Sequence, residues 1–201
     1  MPFKSTEIRW FSSSKEELWN IYQSLPQVGE GIRESDRIDY YLQTDSLNTG
    51  VKIRQGNHEI KVKYREDELQ KYGLIEHWQK WSTKEEQNIL NTIDPQLLED
   101  WIAIEKKRFK KKYEIWNFDE VHFTDKDFLD EGCGVEFTEL KIGSNREIVY
   151  TFGIEAFGTK NDSRDNFLAA IQYLKLDFSV LEEFDSFGYP EFLSKKRNNN
   201  L

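Results

Sequence analysis

Between Gly50 and Arg65 the chain reads GVKIRQGNHEIKVKYR, and its cations fall on every second residue. Lys52 and Arg54 alternate with Val51 and Ile53; Lys61, Lys63 and Arg65 alternate with Ile60, Val62 and Tyr64. A period of two belongs to a β-strand, so the spacing predicts two strands, each with an apolar and a cationic face. Gly56-Asn57 reads as the two-residue turn joining them. That turn would set Gln55 opposite His58, Arg54 opposite Glu59, Ile53 opposite Ile60 and Lys52 opposite Lys61. Two lysines facing each other repel. Turned to water, the repulsion is screened; turned inward, it calls for anions. Converging arginines and lysines suit a multiply charged oxyanion, the first as planar forks and the second as point charges. A second cationic run, Ile104–Trp116, repeats the pattern. Lys106, Arg108, Lys110, Lys112 and Glu114 share one parity and Phe109, Tyr113 and Ile115 the other, with Lys107 and Lys111 interrupting.

These cations stand in an acidic chain. Its 201 residues carry a net charge of −9, so general attraction to nucleic acid or to an anionic membrane is not expected. A focused anion site fits this balance better than a basic surface does. The length suits one domain, expected over 1–193, with SKKRNNNL at 194–201 as a disordered tail. No signal peptide and no long apolar run is seen, which leads to the expectation of a soluble cytoplasmic protein, a monomer or a homodimer. The single cysteine, Cys133 in Gly-Cys-Gly, leaves no internal disulfide and no multi-cysteine zinc site. His58 falls at the hairpin tip, while His77 and His122 have no ligand partner at useful spacing. No Gly-rich phosphate loop and no Ser/His/Asp set stands out.

The remaining elements must position the cations. Thr6–Phe11 reads as a first strand, with Ile8 and Trp10 on one face and Glu7, Arg9 and Phe11 on the other. Ser14 is placed to cap a helix over 15–25. Gln27–Asp36 reads as a loop. Arg37–Thr44 reads as a strand with Ile38, Tyr40 and Leu42 apart from Arg37, Asp39, Tyr41 and Gln43. A strand over Leu74–Trp81 is followed by a helix opened by the Ser82/Glu85 box and running to Ile93, then by a short helix from Asp94-Pro95 to Trp101. Asn117–Gly132 reads as an acidic link. Gly134–Ile142 is a strand with apolar residues on both parities, and Glu147–Phe157 one with a clean apolar face. A helix carrying Phe167, Ala170, Ile171 and Leu174 follows, and a short terminal helix covers Tyr189–Leu193. Most strands have one apolar and one charged side. The predicted fold is therefore α+β: a closed antiparallel β-barrel of about eight strands, its charges in the lumen and helices over its apolar outside.

In this order the residues resemble the CYTH superfamily, the triphosphate tunnel metalloenzymes that include thiamine triphosphatase and class IV adenylate cyclase. Glu7-Ile8-Arg9 is similar to the second half of that family's ExExK strand, and Asp39–Thr44 to its aromatic strand ending in Asp-Thr. Val51-Lys52-Ile53-Arg54 with Glu59-Ile60-Lys61 looks like its LRxR hairpin, Lys106–Lys112 like its middle basic strand, and Gly134-Val135-Glu136 and Gly153-Ile154-Glu155-Ala156 like its late carboxylate strands. The motifs are half present. Ser5 stands at the first glutamate, Arg9 at the lysine, Gln43 at the aspartate, and Thr138 and Phe157 at second glutamates.

The resemblance implies a metal-dependent hydrolase acting on tripolyphosphate, thiamine triphosphate or a nucleoside triphosphate. Lys52, Arg54, Lys61, Lys63, Arg108 and Lys110 would bind the phosphates. Glu7 and Arg9 would serve catalysis, and Glu7, Glu136 and Glu155 would hold Mg²⁺ or Mn²⁺. Two other readings stand beside it. One is a polyphosphate-binding protein of the same fold without turnover; the other is a β-rich interaction domain whose basic strands meet an acidic partner.

Overall fold

The computed structural model describes residues 3–26, 31–55, 57–69, 73–84, 99–117, 119–126 and 128–198. In chain order the strands are β1 (Phe3–Ser12), β2 (Ile32–Arg33), β3 (Arg37–Leu42), β4 (Thr49–Arg54), β5 (Asn57–Glu68), β6 (Leu74–Lys84), β7 (Trp101–Trp116), β8 (Glu120–Thr124), β9 (Glu131–Ile142), β10 (Glu147–Gly158) and β11 (Asp185–Ser186). The helices are α1 (Lys15–Ser24), α2 (Ser163–Leu174) and α3 (Tyr189–Arg197), with a 3-10 turn at Phe178–Leu181. Eight strands run β10-β9-β7-β3-β4-β5-β6-β1, and β1 pairs with β10 to close the ring. The expected closed antiparallel barrel is present, and closure gives each wall strand two neighbours.

The alternation sorts residues as the spacing requires. On the outside, Ile8 and Trp10 of β1, Tyr113 and Ile115 of β7, Val135 and Phe137 of β9 and Phe152, Ile154 and Ala156 of β10 pack with Leu18 and Tyr22 of α1 and Phe167, Ala170 and Leu174 of α2. A second cluster lies on the inward parity at one end. Phe11, Tyr41, Ile104, Leu140, Ile142 and Val149 meet Phe187, Phe192 and Leu193, with the Phe11 and Phe192 rings stacked at 4.3 Å. This explains the two apolar parities of β9. Val135 and Phe137 face the outer helices, whereas Leu140 and Ile142 face inward toward the α3 plug.

Several expectations need correction. Arg54 pairs with Asn57 and Lys52 with Glu59, so the hairpin turns through Gln55, at φ 49°, and its register lies two residues from the predicted one. The predicted opposition of Lys52 and Lys61 is thereby replaced by an ion pair between Lys52 Nζ and Glu59, 3.0 Å long. Beyond Lys63 the ladder between β5 and β6 slips, which turns Arg65 out of the cationic face to pair with Asp67. Ser82 lies in β6 opposite Glu59 and caps no helix; the rest of the helix expected to Ile93 falls outside the described residues. Trp101 opens β7 rather than ending a helix, and the helix expected from Asp94 also falls largely outside the described residues. The acidic link holds β8, paired to the end of β7, and the 27–36 loop holds β2. Ser194–Arg197 continue α3 rather than starting a disordered tail. Ser14 takes the cap position of α1 without a side-chain cap bond. The helices cover only part of the barrel: Ile60, Tyr64 and Trp81 on the outer side of β5 and β6 stay exposed.

His77, without a partner in sequence, has two in space. Its Nε2 lies 3.0 Å from Asp67 Oδ2, and its Nδ1 lies 3.0 Å from Thr6 Oγ1, which in turn is 2.8 Å from Ser163 Oγ. An ionised Asp67 only accepts, so Nε2 carries the hydrogen; on a neutral ring Nδ1 then accepts from Thr6, which accepts from Ser163. This Ser-Thr-His-Asp chain pins the first turn of α2 to β1 and β6. Ser163, Thr6 and His77 are all buried, and no described cavity reaches them, so the chain is a structural tie. Thr6→Val, which keeps the shape and strands Nδ1, is expected to lower folding stability by about 1–3 kcal/mol in urea titration.

Candidate functional site

Inward-facing residues from all eight wall strands, together with Tyr189 and Pro190, enclose a cavity of about 130 Å³. Glu7 and Arg9 come from β1, Lys52 and Arg54 from β4, Glu59 and Lys61 from β5, and Lys106, Arg108 and Lys110 from β7. Arg37 and Tyr41 of β3, Trp78 and Lys80 of β6, Glu136 of β9 and Glu155 of β10 complete the wall. Nine of these side chains are cationic and four are carboxylates, in a chain whose net charge is −9. A second chamber of about 180 Å³ shares Arg9, Lys110, Glu136 and Glu155 with the first and extends past Lys112 to Leu129 and Phe157. The groove outside the barrel between Arg37, Lys107, Glu139 and Lys141 has mixed charge and adds nothing to this set.

The charges are organised in three groups. At the plugged end, Asp39 is fully buried beneath three cations: Arg37 Nε at 2.9 Å, Lys106 Nζ at 3.2 Å and Lys52 Nζ at 3.7 Å. Burial alone would raise the Asp39 carboxyl, but Lys106, Lys52 and Arg37 hold it well below the usual carboxylate range. The lysines have the opposite fate. Burial lowers both Lys52 and Lys106 to about 8: Asp39, with Glu59 beside Lys52 and Glu136 near Lys106, opposes the shift, but the neighbouring cations add to it. Lys106 Nζ also donates to the Tyr41 hydroxyl at 2.7 Å and lies 3.9 Å from the Tyr189 ring centre.

In the second group, Glu7 and Glu155 are direct partners across β1 and β10, and Lys61 Nζ contacts both, at 2.6 and 3.6 Å. Burial would raise Glu155, yet Lys61, Lys80 and Arg9 bring it down to about 2. Lys61 also stands 5.0 Å above the Trp78 ring, whose buried indole N–H has no hydrogen-bond partner among the described residues.

In the third group, Glu136 faces Arg9, Arg108 and Lys110 at 3.6, 3.4 and 3.8 Å. Arg9 donates to Thr151 Oγ1 at 2.8 Å and lies flat over Gly153, where a Cβ would come within 2.8 Å of its guanidinium carbon. Glycine at 153 is what lets the arginine lie against the wall. Burial opposes the charge of Arg9, but Glu136, Glu7 and Glu155 around it raise its pKa. Thr138, standing where the resemblance would put a second glutamate, donates to Glu136 at 2.8 Å.

Of the residues singled out by sequence, Glu7, Arg9, Lys52, Arg54, Lys61, Arg108, Lys110, Glu136 and Glu155 thus share one lumen. Lys63 does not line the cavity; it is engaged by Glu66 at 2.5 Å and Glu76 at 2.9 Å. Sequence reasoning passed over Lys80, Trp78 and Tyr189. Arg37 and Asp39 were placed on the right face without a role, and Lys106 was left out of the binding set. The three carboxylates expected to hold Mg²⁺ or Mn²⁺ do not converge. The Arg9 guanidinium contacts Glu136, and the Lys61 ammonium holds the Glu7–Glu155 pair. Among the described residues no three His, Cys, Asp or Glu side chains group to hold a metal ion. As arranged, Arg9 and Lys61 occupy these carboxylates, so a divalent cation would have to displace Lys61 to reach the Glu7–Glu155 pair. Cys133 is buried and its thiol is pushed up by burial, which suits packing and not nucleophilic attack.

No protein-family model and no curated protein matches this chain. Among the described residues no helix is long and apolar enough to cross a membrane.

Proposed function

We propose that the lumen binds a short polyphosphate, either inorganic tripolyphosphate or the triphosphate group of an organic ester, and that the chain is a diverged relative of the triphosphate tunnel proteins. One observation carries this reading: in an acidic chain, nine cations face one another across an enclosed space, and the four carboxylates of its lining together with Asp39 and Glu34 behind it still leave them in excess. Such an excess is costly without a counter-anion, since buried like charges repel in a medium less screening than water. A phosphate chain supplies several charges in a narrow rod, and its oxygens match Arg forks and Lys points along the wall. The unpaired Trp78 N–H offers a neutral donor to the same ligand. Its single buried free thiol suits a reducing compartment such as the cytoplasm.

Calorimetric titration with tripolyphosphate at low and at physiological salt tests the proposal. The expected result is binding that survives physiological salt, because the lumen charges are buried and only weakly screened. Affinity confined to low salt would favour the reading in which exposed basic strands meet an acidic partner. Metal-dependent hydrolysis is the second reading, favoured by the adjacency of Glu7 and Glu155 around a single cation. It requires Lys61 to leave that pair for the phosphate. Phosphate release from tripolyphosphate with and without Mg²⁺ or Mn²⁺ separates binding from turnover.

A further inference from the structure

One carboxylate at the lumen comes from outside the eight wall strands. Glu34 follows β2, which lies against β7 where β3 has ended. Its backbone N–H donates to the Arg108 carbonyl at 3.1 Å and so holds the residue beside β7. Its two side-chain oxygens then divide between two cations, Oε2 pairing with Arg108 Nη2 and Oε1 lying 3.2 Å from Lys110 Nζ. Arg108 and Lys110 already share Glu136, which is fixed within β9. Glu34 differs from Glu136 in freedom: its side chain is 23% exposed, and rotation would carry it to water.

Two oxygens bridging one guanidinium and one ammonium is also how a phosphoryl group would sit there, since its oxygens are spaced much like those of a carboxylate. Building on the polyphosphate reading above, we infer that Arg108 and Lys110 form a discrete anion subsite that Glu34 fills in the empty protein and a phosphoryl group of the ligand takes over. Glu34 is then a tethered competitor. It relieves the cation excess while the tunnel is empty, and every ligand that reaches Arg108 and Lys110 must displace it. An intramolecular carboxylate has a high effective concentration, so its removal should be visible in affinity.

The test is calorimetric titration of the full chain with tripolyphosphate in four forms: wild type, Glu34→Gln, Glu34→Asp and Asp36→Asn. Asp36 pairs with the exposed Arg33 outside the lumen and controls for loss of one surface charge. The aspartate variant keeps the charge of Glu34 but is one methylene too short to bridge both cations. The expected result is binding about tenfold tighter for Glu34→Gln and several-fold tighter for Glu34→Asp, with Asp36→Asn unchanged. An equal gain in Asp36→Asn would mean that charge in general is at work, and a gain in Glu34→Gln with none in Glu34→Asp would mean that local charge and not bridging of the two cations is at work; either would overturn the inference. Equal affinity in all four forms would overturn it while leaving polyphosphate binding intact. Absence of binding in all four would remove the parent reading and the inference together.

Discussion

Protein carrying Asp39→Asn is expected to lose roughly 3–5 kcal/mol of folding stability and to regain much of it when tripolyphosphate is added. Asp39 is fully buried, and Arg37, Lys52 and Lys106 all lie within 3.7 Å of its carboxylate. Asparagine keeps the shape but removes the only carboxylate that touches all three. Breaking a buried ion cluster on one side costs more than the cluster contributes, because the remaining charges stay desolvated. Here they number three, so the upper part of that range is anticipated. The ligand dependence is the distinguishing element. If a phosphate chain lies along the lumen, it brings negative charge to the cations that the aspartate has abandoned, and stability becomes linked to ligand concentration. Urea unfolding of both proteins, with and without ligand, measures this. A variant as stable as the wild type, or one destabilised but indifferent to tripolyphosphate, would argue against an anion site at this depth.

The second large effect concerns pH. Lys52 and Lys106 are lowered by burial to about 8, so both lose their protons within the working range of an ordinary assay. For folding, the sign is that of a depressed base. The penalty for burying the two charges is complete below about pH 8 and is relieved as pH rises from there toward the unfolded value near 10.4. For anion binding, the sign is reversed. The anion prefers the protonated lysines, so affinity falls as pH rises through about 8, by up to two powers of ten per pH unit if both protons are required. Sulfate is a suitable probe because its own charge is constant there. Between about pH 7 and pH 9.5 its affinity is expected to drop by at least tenfold while the fold becomes no less stable. Affinity independent of pH over that interval would place the bound anion away from these two lysines.

The architecture was legible because alternation is a local property. The inward parity of β1, β4, β7 and β10 could be read residue by residue, and with it Glu7, Arg9, Lys52, Arg54, Arg108 and Glu155. Register was harder. A slip of two residues in the hairpin leaves every side chain on its own face, so the hydrophobic pattern cannot distinguish the two alignments. Charge does: one alignment opposes Lys52 to Lys61, the observed one opposes it to Glu59. Arg65 was lost to the slip after Lys63, which has no signature in the alternation. The roles of Asp39, Glu34 and Tyr189 depend on contacts between segments far apart in the chain, and nothing in their own neighbourhoods announces them. The apolar inner end of β9 was visible as a broken pattern, but its meaning required α3.

Closure of the ring by β1 also bears on how the chain folds. β1 is flanked by β6 and β10, strands far from it in sequence, and Glu7 pairs with Glu76 on one side and with Glu155 on the other. During synthesis β1 can gain β6 once residues 74–84 are made, but Ile8 and Trp10 must wait for residues 147–158 before β10 closes the ring. Chains dominated by such distant pairings fold in milliseconds to seconds rather than microseconds. Until β10 arrives, β1 offers a sticky edge on which nascent copies could associate.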